Sequence, residues 1–146
     1  MTSESQMLAA ISEIFNLGPN PEVLTGIGDD AAVVAPTSRK RLYATDMVVE
    51  GSHFRRDWST PREIGGKVTA ANFADIYAMG GAPRFLLVAA GIPSTFTLNE
   101  IRELAQGIQG EADLVGARVI GGDLTRAEKL TISITVIGEV EEPILR

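Results

Sequence analysis

Apolar residues recur along this chain with two different periods, and the switches between them mark its elements. Met7, Leu8, Ile11, Ile14 and Phe15 fall at helical spacing, and Gly18-Pro19-Asn20-Pro21 ends that pattern. Residues 31–35 and 41–49 read as two strands joined by a polar turn at 37–40. Thr60 as N-cap, Pro61 at the first helical position and Glu63 closing a capping box predict a helix start. That helix runs to about Met79, where Gly80-Gly81 and Pro83 stop it. Residues 84–90 are an apolar run suited to a buried strand.

A second capping box, Thr97 with Glu100, opens another helix, with Ile101, Leu104, Ala105, Ile108 and Val115 on its apolar side. Residues 118–121 read as a short strand. Leu130, Ile132, Ile134 and Val136 then alternate with Thr131, Ser133 and Thr135, a strand with two different faces. The order α-β-β-α-β-α-β-β predicts an α/β (α+β) fold: a mixed β-sheet with helices packed on one face.

Composition narrows the class. A length of 146 residues with 45% hydrophobic and 22% charged residues fits one domain with a real core. Net charge is −6 and the Lys and Arg residues are scattered, which disfavours a nucleic-acid partner. No apolar run approaches a membrane span, and the polar start Met1–Gln6 is no secretory signal, so a cytoplasmic location is expected. The absence of cysteine excludes disulfides, thiolate metal sites and a Cys nucleophile within this segment.

The carboxylates carry the candidate chemistry. Asp29, Asp30, Asp46, Asp75 and Asp123 lie in Gly- or Thr-containing segments, whereas the Glu residues mostly occupy helices and the C-terminal tail. Asp is short and stiff, which suits metal coordination from turns and strand ends. Gly26-Ile27-Gly28-Asp29-Asp30-Ala31 formally matches a dinucleotide loop. Its glycines lead into a strand rather than a helix, and two adjacent carboxylates repel a bare phosphate. With Mg²⁺ the sign reverses, because carboxylate, metal and phosphate oxygens share one coordination sphere. An Asp-rich turn before a hairpin is the plainer alternative.

Asp46 sits inside an otherwise apolar strand, where a carboxylate is costly unless paired or metal-bound. His53 is the single histidine and fits a surface or capped residue as readily as a functional one. Asn72 and Asp75 share one helical face opposite Ile64, Val68 and Ala71, either as solvated surface or as a site. In Gly121-Gly122-Asp123-Leu124-Thr125-Arg126, a turn's backbone N–H groups are expected to hold phosphate oxygens while Asp123 holds a cation. Neither a Walker A pattern nor the protein-kinase motifs occur.

Taken together and in order, four of these segments resemble the N-terminal half of thiamine-monophosphate kinases. They are residues 26–31, Thr45-Asp46 with Gly51-Ser52-His53-Phe54, residues 72–83 (NFADIYAMGGAP) and residues 121–126 (GGDLTR). The family falls in a superfamily with aminoimidazole ribonucleotide synthetases and selenophosphate synthetases. The resemblance implies a two-domain, ATP-dependent enzyme that phosphorylates thiamine monophosphate to thiamine diphosphate with several Mg²⁺ ions. Residues 1–146 would be its metal- and ATP-binding N-terminal domain, the C-terminal domain being absent from this chain and the isolated domain turning over poorly. It further implies a homodimer formed through this domain.

Carried over by motif, the metal ligands are Asp30, Thr45, Asp46, Asp75 and Asp123. Gly122, Asp123 and Arg146 meet ATP, His53 meets the substrate, and Asp29 has a supporting role. Leu124, Phe73-Ala74 and Ala44 depart from the family's usual Thr, Leu-Ser and Ser. Two alternatives stay open: another ATP-dependent member of the superfamily with a different phosphate acceptor, or a non-catalytic dimerising metal- or nucleotide-binding module. The missing cysteine argues against a selenophosphate synthetase.

Overall fold

A computed structural model describes residues 3–145 of the chain. Three helices and six strands follow in the order α1 (Glu4–Phe15), β1 (Val23–Thr25), β2 (Val33–Val34), β3 (Lys40–Val49), α2 (Pro61–Ala78), β4 (Ala82–Ile92), α3 (Leu98–Val115), β5 (Arg118–Arg126) and β6 (Thr131–Val140). Each helix start is locally encoded. Ser3, Thr60 and Thr97 are N-caps with complete capping boxes to Gln6, Glu63 and Glu100. Each box satisfies two amide donors that the first helical turn would otherwise leave without partners. The α3 helix stops at Gly116, which takes the left-handed conformation at φ +68°.

The main sheet has the strand order β3-β6-β4-β5. β6 runs antiparallel to both β3 and β4, and β4 runs parallel to β5. The sheet is therefore mixed, as expected, with β3 and β5 at its edges. α1 packs on α3 and β5, while α2 and α3 pack on each other and on the strands, so the helices cover one face. The covered side of β6 is Ile132, Ile134 and Val136, each at 0% exposure. Burial of such side chains stabilises by roughly 1.5–3 kcal/mol apiece. The opposite face carries Tyr43, Thr45 and Met47, all exposed, opposite Ile137, Thr135 and Ser133.

Where α2 crosses α3 the backbones nearly touch. A Cβ on Gly65 would come 2.3 Å from the Leu104 carbonyl oxygen, and one on Gly107 would come 2.0 Å from that of Arg62. These glycines set how closely α2 and α3 approach each other.

Two expectations change here. Residues 31–35 do not form a hairpin with β3. Only Val33–Val34 is strand, and its partner is β1, a separate two-stranded sheet. β3 instead pairs along its whole length with β6, which has the long alternating pattern needed to match it. The segment 121–126 is not a turn after a short strand. It continues β5, with Leu87 through Ile92 paired in parallel against Gly121 through Arg126.

Candidate functional site

The hairpin β1–β2 and the glycine pair of β5 meet at a cavity of about 300 Å³ between α1, α3 and the sheet. Its walls are apolar, with Ile11 and Phe15 from α1, Leu104 and Ile108 from α3, and Val88 and Leu124 from the sheet. Gly28 and Asp29 from the hairpin loop and Gly121, Gly122 and Asp123 from β5 also line it. The sequence patterns point to α1 only as a core helix, so its part in this wall is new. A mostly apolar hollow with a few polar groups is the usual form of a small-molecule site.

Gly122 is shaped by its neighbour strand. Its φ is +155°, and a Cβ there would lie 1.9 Å from the Val88 carbonyl oxygen. Two glycines in sequence signal a turn, but here Gly122 permits close backbone approach inside a parallel pair. Asp123 follows on the row of Ala89 and is exposed.

The other predicted ligands are distributed around the sheet. Asp46 lies in the row Asp46–Ile134–Val88–Gly122, which crosses from one edge strand to the other. The apolar strand does not bury the carboxylate, because Asp46 is exposed to water. Thr45 points to the opposite face, as successive strand residues do. Its hydroxyl donates to the Ile134 carbonyl oxygen at 3.2 Å and accepts from the Thr135 hydroxyl at 3.0 Å. Only the Thr45 backbone carbonyl, therefore, could share an ion with the Asp46 side chain. Asp30 is exposed, and its amide donates to Asp29 Oδ1 at 2.9 Å.

Asn72 and Asp75 do not form one polar stripe. Asp75 is exposed, whereas Asn72 is wholly buried, with Nδ2 donating to the Val68 carbonyl oxygen at 2.8 Å. His53 is exposed in the loop after β3 and accepts the Val49 amide at Nδ1 over 3.0 Å. In the neutral ring that bond assigns the proton to Nε2, leaving a donor facing out. The loop is fastened at Glu50, which accepts from Arg56 Nε at 2.8 Å and from the Leu130 amide at 3.3 Å. Arg146 lies outside the described residues.

Among the described residues no group of three or more His, Cys, Asp or Glu side chains is close enough to hold a metal ion. The donors present still fit magnesium. They are exposed carboxylates and a backbone carbonyl oxygen, and Mg²⁺ is commonly held by one or two carboxylates plus phosphate oxygens and water rather than by a complete protein cage. Among the described residues no helix is long and apolar enough to cross a membrane.

Comparison with known proteins bears on the fold. The family model of AIR synthase related protein, N-terminal domain, matches residues 28–140. A thiamine-monophosphate kinase of Mycobacterium tuberculosis (strain ATCC 25618 / H37Rv) is 41% identical over 126 residues, covering 85% of this chain and 38% of the relative. The chain thus spans less than half the length of that relative. The crystal structure of thiamine-monophosphate kinase from Stenotrophomonas maltophilia K279a superposes with a TM-score of 0.79 at 30% identity, covering 95% of this chain and 43% of that one. A solved structure of AaThiL complexed with AMPPCP and TMP gives a TM-score of 0.71 at 28% identity over 99% of this chain and 45% of that one. The mixed sheet with helices on one face is the fold of these proteins, and the chain belongs to the family of AIR synthase related proteins, whose N-terminal domain it matches.

Proposed function

We propose that this chain is the metal- and ATP-binding N-terminal domain of a thiamine-monophosphate kinase, which moves the γ-phosphate of ATP to thiamine monophosphate. The carrying observation is the cavity whose mouth brings Gly28 and Asp29 together with Gly121, Gly122 and Asp123. Its apolar interior suits a nucleobase, and the glycine backbone beside it suits phosphates. Support also comes from the similar structure that carries AMPPCP and TMP.

Asp30, Asp46, Asp75, Asp123 and the Thr45 oxygen would hold Mg²⁺, and His53 would donate from Nε2 to an anionic oxygen of the substrate. Bound Mg²⁺ supplies charge neutralisation between two polyanions and orients them. The chain's own part is positioning. The acceptor is already a phosphate, so no strong general base is required. The relatives' remaining length would supply further contacts. An ATP-consuming reaction of this kind fits the cytoplasm.

A homodimer built on the open sheet face completes the reading. Tyr43 is 71% and Met47 55% exposed on that face, among Thr and Ser side chains. Such an exposed, partly apolar surface is suited to a second copy.

Calorimetric titration of the chain with AMPPCP, with and without Mg²⁺, tests the proposal. Binding that requires Mg²⁺ and is lost in Asp123→Asn is expected. Nucleotide binding indifferent to both would overturn it. Assay of the longer protein with thiamine monophosphate against other phosphate acceptors then tests the substrate.

A further inference from the structure

The loop that bears Asp29 and Asp30 has little structure of its own. Gly28, Asp29, Asp30 and Ala31 are all exposed, and the β1–β2 ladder beneath them registers only Val23 with Val34 and Thr25 with Val33. The chain leading into and out of the hairpin, in contrast, is fastened to the main sheet at three places. Arg118 Nη1 donates to the Gly18 carbonyl oxygen at 2.9 Å. Arg84 pairs with the Glu22 carboxylate. Arg41 Nη2 donates to the Ala35 carbonyl oxygen at 3.3 Å, and the Ala35 amide closes back on the Glu22 carbonyl oxygen at 2.9 Å.

These arginines come from three different strands, yet they stand at one end of the sheet. β3, β4 and β5 run in the same direction, and Arg41, Arg84 and Arg118 are near the start of each. β6 runs oppositely and brings Glu139 to the same end, where its carboxylate lies 2.8 Å from Arg41 Nη1 and 3.8 Å from Arg84 Nε. Glu139 thereby places its charge beside two of the three guanidinium groups, from the strand between them. The charges alternate along the sheet end as Arg41, Glu139, Arg84, Glu22.

We infer that Arg41, Arg84 and Arg118 form a clasp that fixes where the Gly26–Ala31 loop stands over the cavity mouth, making them positioning residues for Asp29 and Asp30. The inference rests on the functional reading above for what the loop does, but not for how it is held. A loop tied at its base by charged, planar groups keeps one position without contacts at its tip. A tip left free in this way can still receive a cation and phosphate.

The test uses the whole chain with Glu22→Ala, Arg118→Ala, both together, and Arg118→Lys. Glu22→Ala removes the hairpin's side of one tie and leaves Arg84 with Glu139. Hydrogen exchange is compared between a peptide covering residues 22–35 and one covering residues 131–140, without ligands. Exchange in 22–35 should quicken about threefold in Glu22→Ala and roughly tenfold in the double variant, with β6 unchanged. Arg118→Lys should recover part of the loss. Binding of Mn²⁺ with AMPPCP, followed by electron spin resonance, should weaken about tenfold in the double variant.

Unaltered exchange in 22–35, or equal quickening in β6, would overturn the clasp. Quickened exchange with unaltered Mn²⁺ and AMPPCP binding would overturn its role in positioning the site. If the unchanged chain binds neither Mn²⁺ nor AMPPCP, the functional reading falls, while the exchange comparison still decides the clasp.

Discussion

Gly122 and Val88 lie so close across the β5–β4 pair that a side chain on the glycine would overlap the Val88 carbonyl oxygen, at 1.9 Å. Its neighbour Gly121 differs, since a Cβ there would meet only the Leu87 Cδ2 at 3.2 Å, the end of a flexible side chain. Gly122→Ala should therefore destabilise the chain by about 1–3 kcal/mol and distort the cavity mouth, while Gly121→Ala should cost under about 1 kcal/mol. Urea denaturation of both variants checks the contrast. Equal effects would mean that the parallel pair relaxes around either methyl group.

Gly107→Ala should act on the helix layer. The new Cβ would sit 2.0 Å from the Arg62 carbonyl oxygen, which is backbone and cannot swing aside. Separating α2 from α3 should cost roughly 1–3 kcal/mol or more, against the roughly 0.5–1 kcal/mol that alanine usually adds to helix stability. Gly110, with nothing within 4 Å of its would-be Cβ, supplies the control. Gly110→Ala should leave the thermal midpoint unchanged or raise it.

The start of α2 should be acid-sensitive. Glu63 has its carboxyl held below the usual carboxylate range, first by the Thr60 backbone amide and then by the Thr60 hydroxyl. Oε2 accepts from those two groups at 2.8 Å and 3.0 Å. A lowered folded value means that the cap's contribution is complete above the unfolded carboxylate range. It is lost as pH falls through the lowered value. Carbon-13 titration of the Glu63 carboxyl should place it below model glutamate, and Thr60→Val should return it toward the ordinary range. Asp57, held low by its hydrogen bonds from Arg55, should titrate early in the same experiment.

Self-association should depend on the open sheet face. Met47→Lys together with Tyr43→Glu places charges where 55% and 71% exposed side chains now stand, without touching the helix-covered core. Sedimentation equilibrium should show a dimer for the unchanged chain and a monomer for the variant, with the same thermal midpoint for the monomeric unit at low concentration. A dimer that survives both substitutions would place the contact elsewhere.

Features encoded within a few residues were legible in the sequence. Thr60 with Glu63 and Thr97 with Glu100 announced α2 and α3, and the alternation through Ile132 and Ile134 announced β6 with its two faces. Features that depend on a distant neighbour were not. β1 is three residues long and has no period to detect. The glycine pair of β5 read as a turn, because nothing local says that Val88 lies beside it. The exposure of Asp46 goes with the place of β3 at the edge of the sheet. Of the clasp, Arg84 and Glu22 are 62 residues apart, and Arg118 and Gly18 are 100 apart. Their positions in sequence look like unrelated surface charge. The candidate ligands are legible as motifs, but their spatial relation depends on the strand order.

That strand order behaves as a ruler. Asp46 and Gly122 occupy one row, with Ile134 and Val88 between them, so three interstrand spacings separate their backbones, roughly 14 Å in all. The span is set by ladder hydrogen bonds and does not change when side chains in the core are exchanged. Nothing as small as one cation can touch both edges of the sheet within a single copy. Whatever joins them must either be as long as an extended polyphosphate with its counterions, or draw one edge from each of two molecules.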